Sequence, residues 1–96
     1  MHRVLVLGAG KIGALISGLL ADAVGYEVQL ADVNADTARA VVRAHGKRNV
    51  SAFSVDATDP AAIARHVAEH PCDAVISSLP LRKKHVPSSE MATWWA

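Results

Sequence analysis

The sequence predicts an α/β fold: a parallel sheet built β-α-β-α-β-α-β, with helices on both faces. Three observations predict it. Short apolar runs alternate with stretches of helical period along the first 80 residues. The segments between them carry turn and capping residues. The connections are also short, and such alternation demands right-handed crossovers between parallel strands.

The elements follow in order. Val4-Leu5-Val6-Leu7 is a continuous apolar run closed by Gly8, as expected of a strand buried on both faces. Ile12, Leu15, Ile16, Leu19 and Leu20 fall at i, i+3, i+4, i+7 and i+8, which predicts a helix packing that stripe on the sheet and ending by Gly25. Glu27 to Ala31, with Val28 and Leu30, reads as a second strand. Asn34 is a candidate N-cap for a second helix, with Asp36 in its first turn, Ala38, Val41 and Val42 on its apolar face, and Gly46 as its stop. Val50, Phe53 and Val55 mark a third strand. Asp59-Pro60 is the clearest helix start, an acceptor at the N-cap followed by proline at the first helical position. That helix runs through Ile63 and Val67 and ends before Pro71. Ala74-Val75-Ile76 gives a fourth strand, ended by Ser77-Ser78-Leu79-Pro80. Residues 81–96 show no apolar period, so the chain divides into an ordered unit, 1–80, and a basic tail, 81–96.

Composition narrows the function. The 96 residues are 51% apolar and 20% charged, enough for one buried core and against disorder. A net charge of +1 argues against a dedicated nucleic-acid or membrane-surface binder, although the positive excess falls in 81–96. One cysteine, Cys72, excludes an internal disulfide framework and suits a reducing, cytoplasmic setting. Met1-His2-Arg3 before an apolar run imitates a signal peptide. Lys11 interrupts the run, however, and Asp22 stands where a cleavage region would fall. No charge-free apolar window of 18 residues predicts a membrane span.

Gly8-Ala9-Gly10-Lys11-Ile12-Gly13 spells G-x-G-x-x-G between a predicted strand and a predicted helix. The first glycine permits the tight turn, the second lets a pyrophosphate approach the backbone, and the third lets helix pack on strand. The helix N-terminus then offers free N–H groups to phosphate. Asp32 follows Gly13 by 19 residues at the end of the second strand, the spacing of the acid that binds the adenosine ribose. Together these predict a Rossmann-like dinucleotide site. No Arg or Lys follows Asp32, since Val33 and Asn34 come next, and a carboxylate repels a 2′-phosphate, so NAD is favoured over NADP.

Other positions keep two readings. Asp56-Ala57 ends the third strand, where Asp56 could bond an adenine amine or cap the Thr58-Asp59-Pro60 turn. Ser77 and Ser78 lie at the carboxyl edge of the fourth strand, as ligand contacts or as a turn. His66-Val67-Ala68-Glu69-His70 matches H-x-x-E-H, a zinc-peptidase spacing, but it stands on a crossover helix with its imidazoles expected toward solvent. Arg82-Lys83-Lys84-His85 with Trp94-Trp95 reads as a solvated tail rather than a nucleic-acid contact, and Cys72 as an apolar filler rather than a nucleophile.

At these residues the chain resembles the NAD(P)-binding half of the saccharopine dehydrogenase family, which includes saccharopine reductases and lysine 6-dehydrogenases. The resemblance rests on VLVLGAGKIG (Val4–Gly13), LADVN (Leu30–Asn34), VDATDP (Val55–Pro60) and DAVISSLP (Asp73–Pro80). It implies that Gly8, Gly10, Lys11, Ile12 and Gly13 cradle the pyrophosphate. It places Asp32 on the ribose with Val33 and Asn34 beside it, Asp56 and Ala57 along adenine, and Ser77, Ser78 and Leu79 at the nicotinamide side. It also implies hydride transfer at a C–N bond in full-length members, whose substrate domain supplies the catalytic groups. That domain is too large for 96 residues, and no catalytic or metal-binding residue is assigned here. The alternative is a nucleotide-sensing regulatory domain of potassium transport systems, a ligand switch without chemistry. Such domains share the glycine motif, the acid and a DATDP-like turn, while SSLP fits the dehydrogenases better. A fourth strand without a further neighbour is expected to expose backbone groups that invite a homo-oligomer.

Overall fold

Among the described residues seven elements run in the expected order: β1 (His2–Leu7), α1 (Lys11–Asp22), β2 (Tyr26–Asp32), α2 (Ala35–His45), β3 (Val50–Ser54), α3 (Pro60–Glu69) and β4 (Ala74–Ser77). The structure, a computed structural model, describes residues 1–78; Leu79 and the tail 81–96 lie outside the described residues. The four strands form one parallel sheet in the order β3-β2-β1-β4. The fold class is therefore the α/β, Rossmann-like one that the sequence predicts.

Alternation along β1 divides the core. Val4 and Val6 face one side with Val28, Leu30, Ala38 and Val50, against Ile16, Leu20, Val41 and Val42 of α1 and α2. Leu5 and Leu7 face the other with Ala31, Val55 and Ala57, against Ile63 and Val67 of α3 and Val75 of β4. The two-residue period of a strand thus feeds both layers from four successive residues, and all four are under 5% exposed. Each is worth roughly 1.5–3 kcal/mol of burial, which makes β1 the mechanical centre of the unit.

The helix ends form as their chemistry dictates. Asn34 Oδ1 accepts the N–H groups of Asp36 (3.0 Å) and Thr37 (3.4 Å), and Gly46 closes α2 in the left-handed region at φ 62°. Asp59 Oδ1 accepts the Ala61 N–H at 3.0 Å, with Pro60 at the first position of α3.

The packed face of α1 departs from the periodicity reading. Gly13, Ser17 and Ala21, at i, i+4 and i+8, are its buried positions, while Ile12, Leu15 and Leu19 are about 60% exposed. Small residues bring α1 close to the end of β1 at Gly13 and to α2 at Ser17 and Gly18. Ser17 Oγ lies 3.0 Å from His45 Nε2, and a Cβ on Gly18 would lie 2.9 Å from the His45 ring. Ile12, Leu15 and Leu19 are turned outward, so three of the five stripe residues never reach the core, while Ile16 and Leu20 pack against it.

Candidate functional site

The strand order creates the site. The chain steps from β1 to β2 to β3 in one direction, then returns past both to place β4 on the other side of β1. Ligands of open α/β sheets bind beyond the carboxyl ends of the strands where the order reverses. Here that point lies between β1 and β4, and the Gly8–Gly13 turn leaves β1 there.

Gly8 adopts φ 98°, a conformation that strains any residue with a Cβ, and its N–H donates to Ala31 O at 2.7 Å. Gly10 is the N-cap of α1, and no side chain caps it. The first N–H groups of α1 therefore have no intrahelical acceptor and no capping side chain, and no acidic residue stands in the first turn. A Cβ on Gly10 would meet nothing within 4 Å, so the space over this turn is open. A Cβ on Gly13 would fall inside the contact shell of Gly8 O and 2.8 Å from Ser78 Oγ. The motif thus combines an open glycine facing outward with a closed glycine facing the strand. Anionic groups are favoured at such a helix end by donors that have no intrahelical acceptor and by the positive end of the helix dipole.

Asp32 ends β2 half-buried, beside the turn. Its Oδ2 accepts the Ala9 N–H at 2.8 Å and its Oδ1 accepts the Asn34 N–H at 2.9 Å. Its main-chain oxygen accepts the Val55 N–H at 3.0 Å. The carboxylate therefore ties the glycine turn to the start of α2, and the main chain of the same residue joins the end of β3 to them. Each ionised oxygen retains acceptor capacity for a further donor such as a ribose hydroxyl.

Ser78 carries the clearest tertiary surprise. Its Oγ lies 2.9 Å from Leu7 O and 3.0 Å from Gly8 O as a shared donor, and its N–H donates to Leu7 O at 2.9 Å. The hydroxyl braces the turn from below, 70 residues away in sequence from Gly8. Ser77 is half-buried in β4, in register with Leu7.

The remaining candidates separate. Lys11 and Ile12 are exposed in the first turn of α1, and Val33 is exposed beyond β2. Asn34 caps α2 as described. Asp56 Oδ1 accepts the Thr58 N–H at 2.9 Å and its hydroxyl at 2.6 Å, the turn-capping alternative. Ala57 is buried with Leu5, Leu7 and Ala31. Leu79 lies outside the described residues.

The H-x-x-E-H residues require a correction. His66 does not face solvent: it is 7% exposed, packed between α3 and the sheet. Gln29 Nε2 donates to His70 O at 3.4 Å, which leaves Gln29 Oε1 to accept from His66 Nε2 at 2.8 Å. Phe53 meets both imidazoles, with ring centroids at 4.7 and 4.6 Å. Burial, and secondarily the neighbouring His70, lowers the pKa of His66 below its ordinary value, while Glu69 opposes the shift. Among the described residues no group of three or more His, Cys, Asp and Glu is gathered to hold a metal. Gln29, a lone amide inside an apolar strand, was the available sequence signal for this buried polar cluster.

Comparisons with known proteins agree with this architecture. The family model described as the saccharopine dehydrogenase NADP binding domain matches residues 4–92. Among solved structures, the apo saccharopine dehydrogenase (L-Glu forming) of Saccharomyces cerevisiae is similar at a TM-score of 0.67 and 29% identity, over 83% of this chain and 17% of that one. Sorbitol-6-phosphate 2-dehydrogenase of Erwinia amylovora is similar at a TM-score of 0.62 and 26% identity, over 95% of this chain and 41% of that one. No curated protein sequence matches. The chain spans about a sixth of the yeast enzyme and under half of the other. By the extent of the family match, the chain belongs to the saccharopine dehydrogenase family through its NADP-binding domain.

Proposed function

We propose that the chain is the NAD-binding half of a cytoplasmic amino-acid oxidoreductase that acts on a C–N bond. The single observation that carries the cofactor reading is the Asp32 carboxylate hydrogen-bonded to the Ala9 N–H of the glycine turn. Such a carboxylate suits an adenosine ribose, next to the first N–H groups of α1, which have no intrahelical acceptor and suit the pyrophosphate. NAD, when bound, supplies the hydride acceptor or donor. This chain's part is to bind and orient it: the α1 N-terminus holds phosphate, Gly10 leaves room for it, and Asp32 accepts from the ribose.

The same carboxylate supports NAD over NADP, although the family is named for NADP. A 2′-phosphate about 4 Å from Asp32 would be repelled by ~1–4 kcal/mol per charge between aqueous and protein-surface screening. Neither Val33 nor Asn34 offers a compensating cation. Calorimetric titration with NAD, NADP and ATP tests this. NAD is expected to bind at least ~10-fold tighter than NADP, from ~1.4 kcal/mol or more of discrimination. Asp32→Ala should narrow that ratio. Tighter NADP binding would overturn the specificity, and a folded sample that ignores millimolar NADH would overturn the binding function itself.

A further inference from the structure

The exposed residues of α1 are Lys11, Ile12, Leu15, Leu19 and Asp22. A surface helix ordinarily turns charged and polar residues outward. Here three large apolar side chains, each more than half exposed, stand at i, i+3 and i+7 on one face, while the small residues Gly13, Ser17 and Ala21 pack inward. A single charge stands at each end of that stripe. α1 lies over β1 and β2, the central strands, so this face is separate from both edges of the described sheet. We propose that it is a self-association surface, on which α1 of a second copy of this chain packs antiparallel about a two-fold axis beside Leu15.

Two observations select a second copy as the occupant. The first is the symmetry of the stripe. Ile12 and Leu19 stand on either side of Leu15 at nearly equal distances. An antiparallel copy therefore sets each Ile12 against Leu19 of the other and brings the two Leu15 side chains together at the centre. The second is charge. Lys11 and Asp22 are about three turns apart, which puts both on the same flank of the stripe. Like flanks meet in an antiparallel pair with two-fold symmetry, so Lys11 of each copy faces Asp22 of the other. A parallel pair would set lysine against lysine and aspartate against aspartate. Lys11 makes no ion pair among the described residues, and Lys47 engages only Oδ1 of Asp22, at 2.9 Å. Oδ2 is left to meet the ammonium of the second copy.

Size sets the strength of this contact. The 12 residues of α1 make a face ~18 Å long and at most ~12 Å wide, whereas a stable interface buries about 800 Å² on each partner. One helix face falls short of that, so the dimer is weak and depends on concentration. The contact also draws on other atoms than the cofactor reading does. Pyrophosphate would take main-chain N–H groups at the start of α1. The second copy takes side chains along the outer face, centred about one turn further on at Leu15.

Sedimentation of the full chain over a wide range of concentration should show a monomer–dimer equilibrium. Leu15→Glu sets like charges against each other at the two-fold axis and should weaken the dimer about tenfold or more. The side chain it replaces is exposed, so the variant should melt with the parent. Lys11→Glu and Asp22→Lys should each weaken the dimer, and the double variant, which exchanges the two charges, should restore it. Oxidative cross-linking in a Cys72→Ser background reads the register. Leu15→Cys should give a disulfide-linked dimer, since the two positions are level and a disulfide spans Cα atoms ~4.4–6.8 Å apart. Leu19→Cys should not, because its two copies stand ~10–12 Å apart along the helix axes at ~1.5 Å per residue. A chain that stays monomeric at every concentration would overturn the proposal. So would a dimer indifferent to Leu15→Glu, which would lie on another surface such as a sheet edge. Equal cross-linking at 15 and 19, or a charge exchange that fails to restore the dimer, would overturn it as well.

Discussion

One added methyl group should separate folding from binding at two glycines three residues apart. In Gly13→Ala the new Cβ meets the Gly8 carbonyl oxygen inside contact distance, with Gly8 C and Ser78 Oγ both at 2.8 Å. The obstacle is backbone at the end of a buried strand, held by the Gly8 N–H bond to Ala31 O, so it cannot swing aside as a flexible side chain would. Overpacking a core costs ~1–3 kcal/mol when side chains can adjust, so this site belongs at about 3 kcal/mol or above. At ~4–8 °C per kcal/mol for a domain of this size, the Tm should fall by ~12 °C or more. In Gly10→Ala the Cβ meets nothing within 4 Å, and φ −71° is open to alanine. Stability should stay within ~0.5 kcal/mol, because the N-cap preference of glycine over alanine and the stiffer unfolded chain offset each other. The same methyl would stand in the space a phosphate needs, and NAD affinity should drop at least ~10-fold, or ~1.4 kcal/mol. Thermal melts by circular dichroism and NAD titration of both variants decide the matter. A Gly13→Ala protein that melts within a few degrees of the parent would refute the close-packing argument. A Gly10→Ala protein with unaltered NAD affinity would refute the phosphate argument.

Two further outcomes follow from the same geometry. Ser78→Ala removes the hydroxyl shared between Leu7 O and Gly8 O and should cost about 1 kcal/mol, a Tm loss of ~4–8 °C, with weaker NAD binding as the turn loosens; an unchanged melt would show the brace to be idle. Because burial lowers the His66 pKa below 6.5, the unfolded chain takes up a proton there before the folded one does. Stability is fully present above pH 6.5 and is lost as pH falls from there through the lower folded value. Urea midpoints measured between about pH 7 and pH 5 should decline in the parent and decline less steeply in His66→Gln, and equal slopes would remove His66 from the account.

The nucleotide motif was legible because its parts are local. Gly8–Gly13 and Asp32 are read from a turn, a helix start and a strand end, each governed by backbone chemistry within a few residues. Asn34, Gly46 and Asp59-Pro60 announced the helix ends for the same reason, and the structure places caps there. The stripe on α1 misled because hydrophobic periodicity ranks side chains by apolarity. Close approach to a sheet selects them by size, and Gly13, Ser17 and Ala21 prevailed over Ile12, Leu15 and Leu19. The imidazoles of α3 misled because a helical pattern does not state what lies opposite. Gln29 and Phe53, from two other elements, draw His66 inward.

Sequence alone determined the element order, the caps, the glycine turn and the acid at the end of β2, all set by interactions within one element or its adjoining turn. Tertiary structure alone decided that β4 lies beside β1, that Ser78 supports Gly8 from 70 residues away, and that His66 is drawn inward against Gln29 and Phe53. Those outcomes depend on the handedness of a crossover and on a core shared by elements far apart in the chain. No single stretch of residues encodes either one.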